Sequence, residues 1–282
     1  MPAVSSVSAP LHLDDPADPR LADYHLLDAR AARRTRAGDD FFIAEGTTVI
    51  RQAIASGHRL RSVLLLHDRL PRFEREVGPL LAEDVPVYVV ERDVLERTVG
   101  FDLHRGVLAS GDRRPATTVE EVTHAARRIA VLEGLNDAEN VGVIGRAARA
   151  LEIDAMVLDP TCTDPYARRP VRVSMGEILH LPVARAGRWP DELDVLHAHG
   201  FETWALTPTG DADLWSLRPP PRLAIVVGAE GPGLARTTIE RATRSVRIPI
   251  RPDVDSLNVG HAAAIAFAAT APSRHHPADG PR

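Results

Sequence analysis

The stretch AIVVGAEGPGLARTTIE, residues 224–240, joins an apolar run to a glycine-rich turn and a helix-like segment. Backbone amides in such a turn can hold the phosphates of a nucleotide-like ligand. A P-loop would require Lys and then Ser or Thr where Leu234 and Ala235 stand. In a dinucleotide-binding turn, the Glu230 carboxylate would repel the pyrophosphate. The alternative to a ligand-binding loop is an ordinary glycine turn in an α/β domain, and this stretch alone does not distinguish the two.

Two other segments place polar side chains beside small residues at the start of a helix. In LEGLNDAENVGVIGRAARA, Asn140, Gly142 and Arg146 follow a strand, and the Asn140 side chain could cap the helix. In IPIRPDVDSLNVGHAAAIAF, Ser256 and Asn258 precede the last helix. Taken singly, Arg146 is a solvated helix residue, Ser256 an N-cap and Asn258 a turn residue. A function has to rest on the three segments together.

Together the three segments resemble the motifs of the SpoU (TrmH) family of RNA ribose methyltransferases, within the SPOUT superfamily. Residues 140–146 are similar to N-x-G-x-x-x-R, residues 228–234 to G-x-E-G-x-G-L and residues 256–259 to S-L-N-V. They occur in the family's order, and VRVSMGEILHLPV resembles the family segment between the first two motifs. The resemblance covers about residues 129–269.

The N-terminal half is similar to the substrate-binding domain of the same family, which has a ribosomal-protein-like fold and grips RNA. This match rests on Phe42, Glu45, Gly46 and the HRGVLA run. The chain also departs from the family pattern at four positions where relatives often have Asn or Ser, which are Ala229, Ala235, Gly260 and His261.

The resemblance implies S-adenosylmethionine-dependent methyl transfer to a ribose 2′-hydroxyl of structured RNA, ribosomal or transfer. It also implies a deep trefoil knot and a homodimer. It assigns the catalytic set to Asn140, Arg146, Glu230, Ser256 and Asn258. It assigns the cofactor pocket to Leu206, Thr207, Gly228, Ile248 and Leu257.

The resemblance assigns the removal of the hydroxyl proton to Arg146, but the chemistry of arginine favours a different role. An Arg side chain has a pKa above about 12 and is a poor base, so we expect Arg146 to hold the target phosphate and stabilise the forming alkoxide. Two alternatives stay open. One is an RNA-binding paralogue that has lost catalysis, and the other is a nicotinamide-dependent enzyme with an unusual glycine loop.

RNA contacts are expected from arginine clusters, because phosphates supply most of the affinity in such complexes. The sequence has no Lys, so all 34 basic residues are Arg, and the formal net charge is -5. That charge argues against a generally basic nucleic-acid binder, so local clusters have to supply the contacts. The candidates are Arg30, Arg33, Arg34 and Arg36 near the N-terminus, and Arg168, Arg169 and Arg172 further on.

Strands and helices that alternate along the chain have to position these segments. Runs such as SVLLL, IAVLEG and LAIVVG predict buried strands, AENVGVIGRAARAL a helix and SMGEIL a short helix. We expect an α/β fold class with a mainly parallel sheet, and the resemblance implies a C-terminal SPOUT domain with a smaller α/β domain before it. The predicted parts are a disordered tail (1–20), an RNA-binding domain (21–112), a linker (113–128), the methyltransferase domain (129–271) and a second disordered tail (272–282).

Composition narrows the remaining classes of protein. The single Cys162 cannot form an internal disulfide, and the 12 His residues lack the spacing of a metal site, so we expect no metal. The N-terminus has neither the basic start nor the apolar core of a signal peptide. No apolar run approaches the roughly 20 residues that span a bilayer. We therefore expect a cytoplasmic protein without a membrane partner.

Overall fold

The computed structural model describes residues 9–25, 27 and 41–272 of the 282-residue chain. The chain divides into two compact units. Unit 1 comprises Met1–Pro115, Val141–Arg146 and Thr163–His180, and unit 2 comprises Ala116–Asn140, Ala147–Cys162 and Leu181–Arg282. Outside the described residues lie most of the predicted C-terminal tail and the predicted arginine cluster of Arg30, Arg33, Arg34 and Arg36.

Unit 1 is built on a sheet whose described strands have the order β1-β4-β3-β5-β2. These strands are β1 (Leu11–His12), β2 (Phe41–Glu45), β3 (Leu60–Leu66), β4 (Val87–Val90) and β5 (Val107–Asp112). Strands β1, β4 and β3 run parallel, and β5 is antiparallel to both β3 and β2. The connecting helices are α1 (Thr47–Ala55), α2 (Leu70–Glu76) and α3 (Arg92–Val99).

The segment before this sheet differs from the predicted disordered tail. Leu11 and His12 pair with Tyr88 and Val89 as a parallel edge strand, and the Leu13 side chain is buried. The segment is rich in Pro and Asp, and a strand of two residues has no periodicity that a sequence can reveal. Its order depends on the free edge of β4, which only the folded unit supplies.

Unit 2 is built on a parallel sheet whose described strands have the order β10-β12-β9-β11-β6-β7-β8. Every pairing in it is parallel, which confirms the predicted sheet type. The strands are β6 (Arg128–Glu133), β7 (Ala155–Leu158), β8 (Val183–Arg185), β9 (Glu202–Leu206), β10 (Ala212–Asp213), β11 (Leu223–Gly228) and β12 (Arg244–Arg247). The helices of the second half of the chain are α4 (Val119–Ala125), α5 (Ala138–Ala150), α6 (Arg168–Val173), α7 (Leu193–Ala198), α8 (Arg236–Arg241) and α9 (Val259–Ala269).

The predicted linker at 113–128 contains helix α4. Thr118 and Glu121 form a capping box, in which the Thr118 hydroxyl accepts from the Glu121 amide and the Glu121 carboxylate accepts from the Thr118 amide. Val119 and Val122 are buried in the core of unit 2. The T-x-x-E spacing was present in the sequence, but the Pro and charged residues beside it favoured a linker.

The predicted short helix SMGEIL forms only over its second half, within a 3-10 turn. Helix α6 begins earlier, at Arg168, and ends at Val173. The chain then turns through Met175 and Gly176, whose φ angles of 57° and 85° lie in the left-handed region and end the helix. A 3-10 turn over Glu177–His180 follows.

Buried Arg128 ties two helix ends to the sheet of unit 2. One of its terminal nitrogens donates to the carbonyls of Leu151 and Glu152, just beyond α5. The other donates to the Phe267 carbonyl at 2.6 Å and to the Thr270 hydroxyl at 2.8 Å, at the end of α9. Carbonyls at the end of a helix lack backbone donors, so the Arg128 guanidinium satisfies them and offsets the negative charge at the two helix ends.

Candidate active site

A cavity of about 520 Å³ opens at the carboxyl-terminal edge of the unit 2 sheet. In a parallel α/β sheet this edge collects the loops that bind ligands. The cavity wall comes from the ends of β9 and β11, from the segment after β12 and from the start of α9. It includes all five residues predicted for the cofactor pocket, which are Leu206, Thr207, Gly228, Ile248 and Leu257.

The glycine loop after β11 folds tightly onto itself. The Ala229 carbonyl accepts from the Gly233 amide at 3.0 Å. A Cβ added to Gly228 would lie 2.4 Å from the carbonyl carbon of Gly233 and 2.5 Å from the Leu234 nitrogen. Gly231 and Gly233 have φ angles of 86° and 69°, which favour glycine. The loop therefore exposes backbone to the cavity, as an interaction with a flat or polar ligand requires.

Asn258 joins the three sequence motifs through one side chain. Its Oδ1 accepts from the amides of Gly260 and His261 at 2.9 and 3.2 Å, which makes Asn258 the N-cap of α9. Its Nδ2 donates to Asn140 Oδ1 at 3.0 Å and also to Glu230 Oε1. One residue from each motif thus meets at the rim of the cavity.

The N-caps of α5 and α9 are not the residues that the sequence suggested. The N-cap of α5 is Asp137, whose carboxylate accepts from the Glu139 amide, and Asn140 is a buried residue in the first turn. The N-cap of α9 is Asn258, whereas Ser256 lies two residues earlier, exposed, on the cavity wall. Capping therefore leaves the Asn140 amide free to bond elsewhere and leaves the Ser256 hydroxyl at the cavity.

Arg146 lies further along α5 with an exposed side chain. Among the described residues, none forms a hydrogen bond or an ion pair with it. Gly142, the small residue of the same motif, is closely packed within unit 1: a Cβ there would lie 2.8 Å from Val173 Cβ and 2.9 Å from the Pro170 carbonyl oxygen. The glycine of the first motif therefore has a packing role.

Two of the three arginines predicted on α6 contact a buried carboxylate. Arg168 and Arg172 lie 3.4 and 3.5 Å from the Glu45 carboxylate, and the Arg168 guanidinium lies 4.4 Å from the centre of the Phe101 ring. Arg169 is exposed. The carboxylate of Glu45 reduces the positive charge that this cluster can offer to RNA, and RNA binding by these three residues stays a prediction.

Glu133 is a polar residue beside the cavity that the sequence did not reveal. It ends β6 and pairs in register with Gly228 of β11, and its side chain is only 7% exposed. The sequence pattern that could have indicated Glu133 is IAVLEG, in which a Glu ends an otherwise apolar strand and precedes a glycine. Such a residue also occurs at solvated strand ends, so the pattern alone did not single it out.

Other groups with reactive or ligand-forming side chains lie away from the cavity. Burial raises the pKa of Cys162 to about 12, so its thiol is inert. Glu120, His124 and His199 each bring one potential ligand atom to within 4.8 Å of the others. The expectation of no metal stays a prediction, and this group is the place to test it. Within the described residues, no helix is long and apolar enough to cross a membrane.

Two family models match most of the chain. Residues 127–268 match the SpoU rRNA Methylase family. Residues 43–115 match the model described as RNA 2'-O ribose methyltransferase substrate binding. The two matches fall on the halves of the chain that carry the two resemblances in the sequence.

Full-length relatives show the same similarity. The chain is 42% identical over 267 residues to an uncharacterized tRNA/rRNA methyltransferase of Mycobacterium tuberculosis, covering 93% of this chain and 92% of the relative. A crystal structure described as an RNA 2'-O ribose methyltransferase matches with a TM-score of 0.75 and 29% identity, over 92% of this chain and 97% of that one. An AdoMet-bound rRNA methyltransferase from Sinorhizobium meliloti shares the fold, with a TM-score of 0.76, 22% identity and coverage of 92% and 96%.

Proposed function

Because the chain belongs to the SpoU family of RNA 2′-O-ribose methyltransferases, we propose that it transfers the methyl group of S-adenosylmethionine to a ribose 2′-hydroxyl of ribosomal or transfer RNA. The observation that carries this proposal is the Asn258 side chain, which bonds to Asn140 and Glu230 beside a cavity lined by all five predicted cofactor residues. A nicotinamide-dependent enzyme is not favoured, since the family match supplies a different chemistry for the same glycine loop.

The residues around the cavity fit this cofactor. Leu206, Ile248 and Leu257 offer apolar surface for an adenine ring, and the Gly228 loop offers backbone amides and carbonyls at close approach. A volume of about 520 Å³ lies in the range of pockets that bury small organic ligands. When bound, S-adenosylmethionine supplies a sulfonium methyl group whose S–C bond breaks as the O–C bond to ribose forms.

The side chains have separate tasks in this proposal. Arg146 holds the target phosphate and stabilises the alkoxide that develops as the hydroxyl proton is lost to solvent. Asn140 and Ser256 orient the ribose, and Glu230 and Asn258 fix the loops that surround the cofactor. A sulfonium group already leaves well, so positioning of the two reactants provides most of the rate.

The proposal extends to the architecture that the family resemblance implies. It includes a deep trefoil knot in the C-terminal domain, a ribosomal-protein-like fold for the N-terminal domain, the order of a substrate-binding domain before a methyltransferase domain, a homodimer and a cytoplasmic location. Helix α9 supports the homodimer, because HAAAIAFAAT is apolar and has small side chains that allow close helix packing. Sedimentation at micromolar concentration tests it, and an active monomer would rule the dimer out.

Calorimetry and RNA mapping test the activity. We expect the intact chain to bind S-adenosylmethionine and not NAD, and a deletion strain to lose one ribose methylation in its ribosomal or transfer RNA. Restoring the gene should restore the methyl group. Cofactor binding with an unchanged methylation map would instead favour the catalytically silent RNA-binding paralogue. Binding of NAD alone would contradict the assignment of the cavity to S-adenosylmethionine.

A further inference from the structure

The buried Glu133 carboxylate accepts hydrogen bonds from three different segments of unit 2. Its Oε1 accepts from the Ala235 amide at 2.5 Å. Its Oε2 accepts from the Trp189 indole nitrogen and from the Thr238 hydroxyl, both at 2.5 Å. Burial of a carboxylate costs free energy unless hydrogen-bond donors surround it. The folded state of unit 2 therefore favours the positions that keep these three donors around Glu133.

Two of these donors lie at the far end of the glycine loop. Ala235 is the N-cap position of α8 and Thr238 lies in its first turn. The near end of the loop is Gly228, which pairs with Glu133 itself in the β6–β11 register. Glu133 therefore holds the loop at both ends, by its backbone strand at Gly228 and by its side chain at Ala235 and Thr238.

The loop held in this way forms much of the cavity wall. Every residue from 228 to 234 lines the cavity, whereas Glu133 does not. A shift of α8 would move the Gly233 and Leu234 backbone, which already lies within 2.5 Å of where a Gly228 Cβ would be. The shape of this wall thus depends on a side chain that has no contact with the cavity.

We propose that Glu133 is a positioning residue that presets the 228–234 loop for the cofactor. This inference rests on the proposed function, because it assigns the cavity to S-adenosylmethionine. Glu133 acts through Ala235 and Thr238 and takes no part in the chemical step. Its loss therefore weakens cofactor binding and leaves the rate at saturating cofactor nearly unchanged.

The test replaces the carboxylate by an amide of the same shape. Glu133→Gln points an NH2 group at one set of donors, so the loop loses at least one of its anchors. We expect the dissociation constant for S-adenosylmethionine to rise about tenfold or more, and KM for the cofactor to rise in parallel, with kcat within about threefold of the intact chain. The matched control is Glu192→Gln, because Glu192 also holds a loop, through the amides of Gly187 and Arg188, but lies outside the cavity wall.

A second pair of variants keeps the test decisive if Glu133→Gln does not fold. Thr238→Val removes one hydroxyl donor, and Thr238→Ser retains it. We expect the Val variant to weaken cofactor binding and the Ser variant to restore it. Equal affinity in Val and Ser variants, or in Glu133→Gln and the intact chain, would overturn the positioning role alone. An intact chain that binds no S-adenosylmethionine would overturn the proposed function and this inference with it.

Discussion

Asn258 Nδ2 and Asn140 Oδ1 are 3.0 Å apart, although the two residues are 118 positions apart in the chain. The bond links the first turn of α5 to the N-cap of α9, and the same Nδ2 also donates to Glu230. The amide of Asn258 has separate ends for separate tasks: the oxygen caps a helix, and the nitrogen joins the motifs. That division allows the two tasks to be tested independently.

Asn258→Asp should separate them. The Asp side chain retains the cap on α9, because a carboxylate accepts from helix amides as well as Asn does. It has no donor for Asn140 and repels the Glu230 carboxylate. We expect the free energy of unfolding to stay within about 0.5 kcal/mol of the intact chain, because Asp and Asn cap helices about equally well, while methyl transfer falls at least tenfold.

Asn258→Ala is the matched variant, since it removes both ends and should lose about 1 kcal/mol of stability from the missing cap. Urea unfolding measures the free energy of unfolding of each variant, and single-turnover methylation measures its rate of methyl transfer. Activity of the Asp variant equal to that of the intact chain would show that the bonds to Asn140 and Glu230 are dispensable.

Arg146→Ala should abolish methyl transfer and leave S-adenosylmethionine affinity within a few-fold. The reason is that Arg146 is exposed and outside the cavity wall, so its removal spares the cofactor while the phosphate and alkoxide lose a cation. The control is Arg149→Ala, which removes another exposed Arg from the same helix. Near-normal single-turnover rates in Arg146→Ala would refute the assignment.

Gly228→Ala should block cofactor binding by steric means. The added methyl would meet the Gly233 backbone at 2.4 Å, and backbone cannot rotate out of the way as a side chain can. We expect affinity for S-adenosylmethionine to fall more than tenfold by calorimetry.

Gly187→Ala is the control for this substitution, because a Cβ there has only an ordinary contact, at 3.5 Å from Glu192. Unchanged cofactor affinity in Gly228→Ala would mean that the loop relaxes without consequence for the cavity.

Arg128→Met should destabilise unit 2. The substitution leaves the carbonyls of Leu151, Glu152 and Phe267 without their buried donor, and we expect a loss of about 3 kcal/mol in the free energy of unfolding. Arg127→Met, at the exposed neighbouring position, should change it by less than about 0.5 kcal/mol. Equal urea midpoints for the two variants would contradict the role given to Arg128.

His58 should make stability fall as the solution becomes acidic. Burial lowers its pKa below the ordinary 6.5, and hydrogen bonds to the carbonyls of Asp112 and Leu179 oppose that shift. The unfolded chain therefore binds a proton near pH 6.5 while the folded chain does so only at lower pH. The free energy of unfolding is unaffected by His58 above pH 6.5 and decreases as the pH drops below it.

The measurement is urea unfolding between pH 8 and about pH 5. His58→Asn should reduce the slope below pH 6.5, and His104→Asn, at an exposed position in the same unit, is the control. An identical slope in all three proteins would exclude a depressed pKa at His58.

The sequence by itself determined the parallel sheet of unit 2 and most of its strands. Apolar runs bounded by glycine indicate which residues are buried, and the family resemblance indicated which loops belong together. Leu206, Ile248 and Leu257, which the family resemblance assigns to the cofactor, line one cavity, and their contact with the cofactor stays a prediction. They lie together because the ends of parallel strands all meet at one edge of the sheet.

Only the tertiary structure decided which polar group meets which. The sequence suggests Asn140 as the cap of α5, whereas the folded chain uses Asp137 as the cap, and the Asn140 side chain accepts from Asn258. Glu133 resembles a solvated strand end until the indole of Trp189 and the start of α8 close around it. Hydrogen bonds are short and directional, and residues about a hundred positions apart have no local pattern that encodes their meeting.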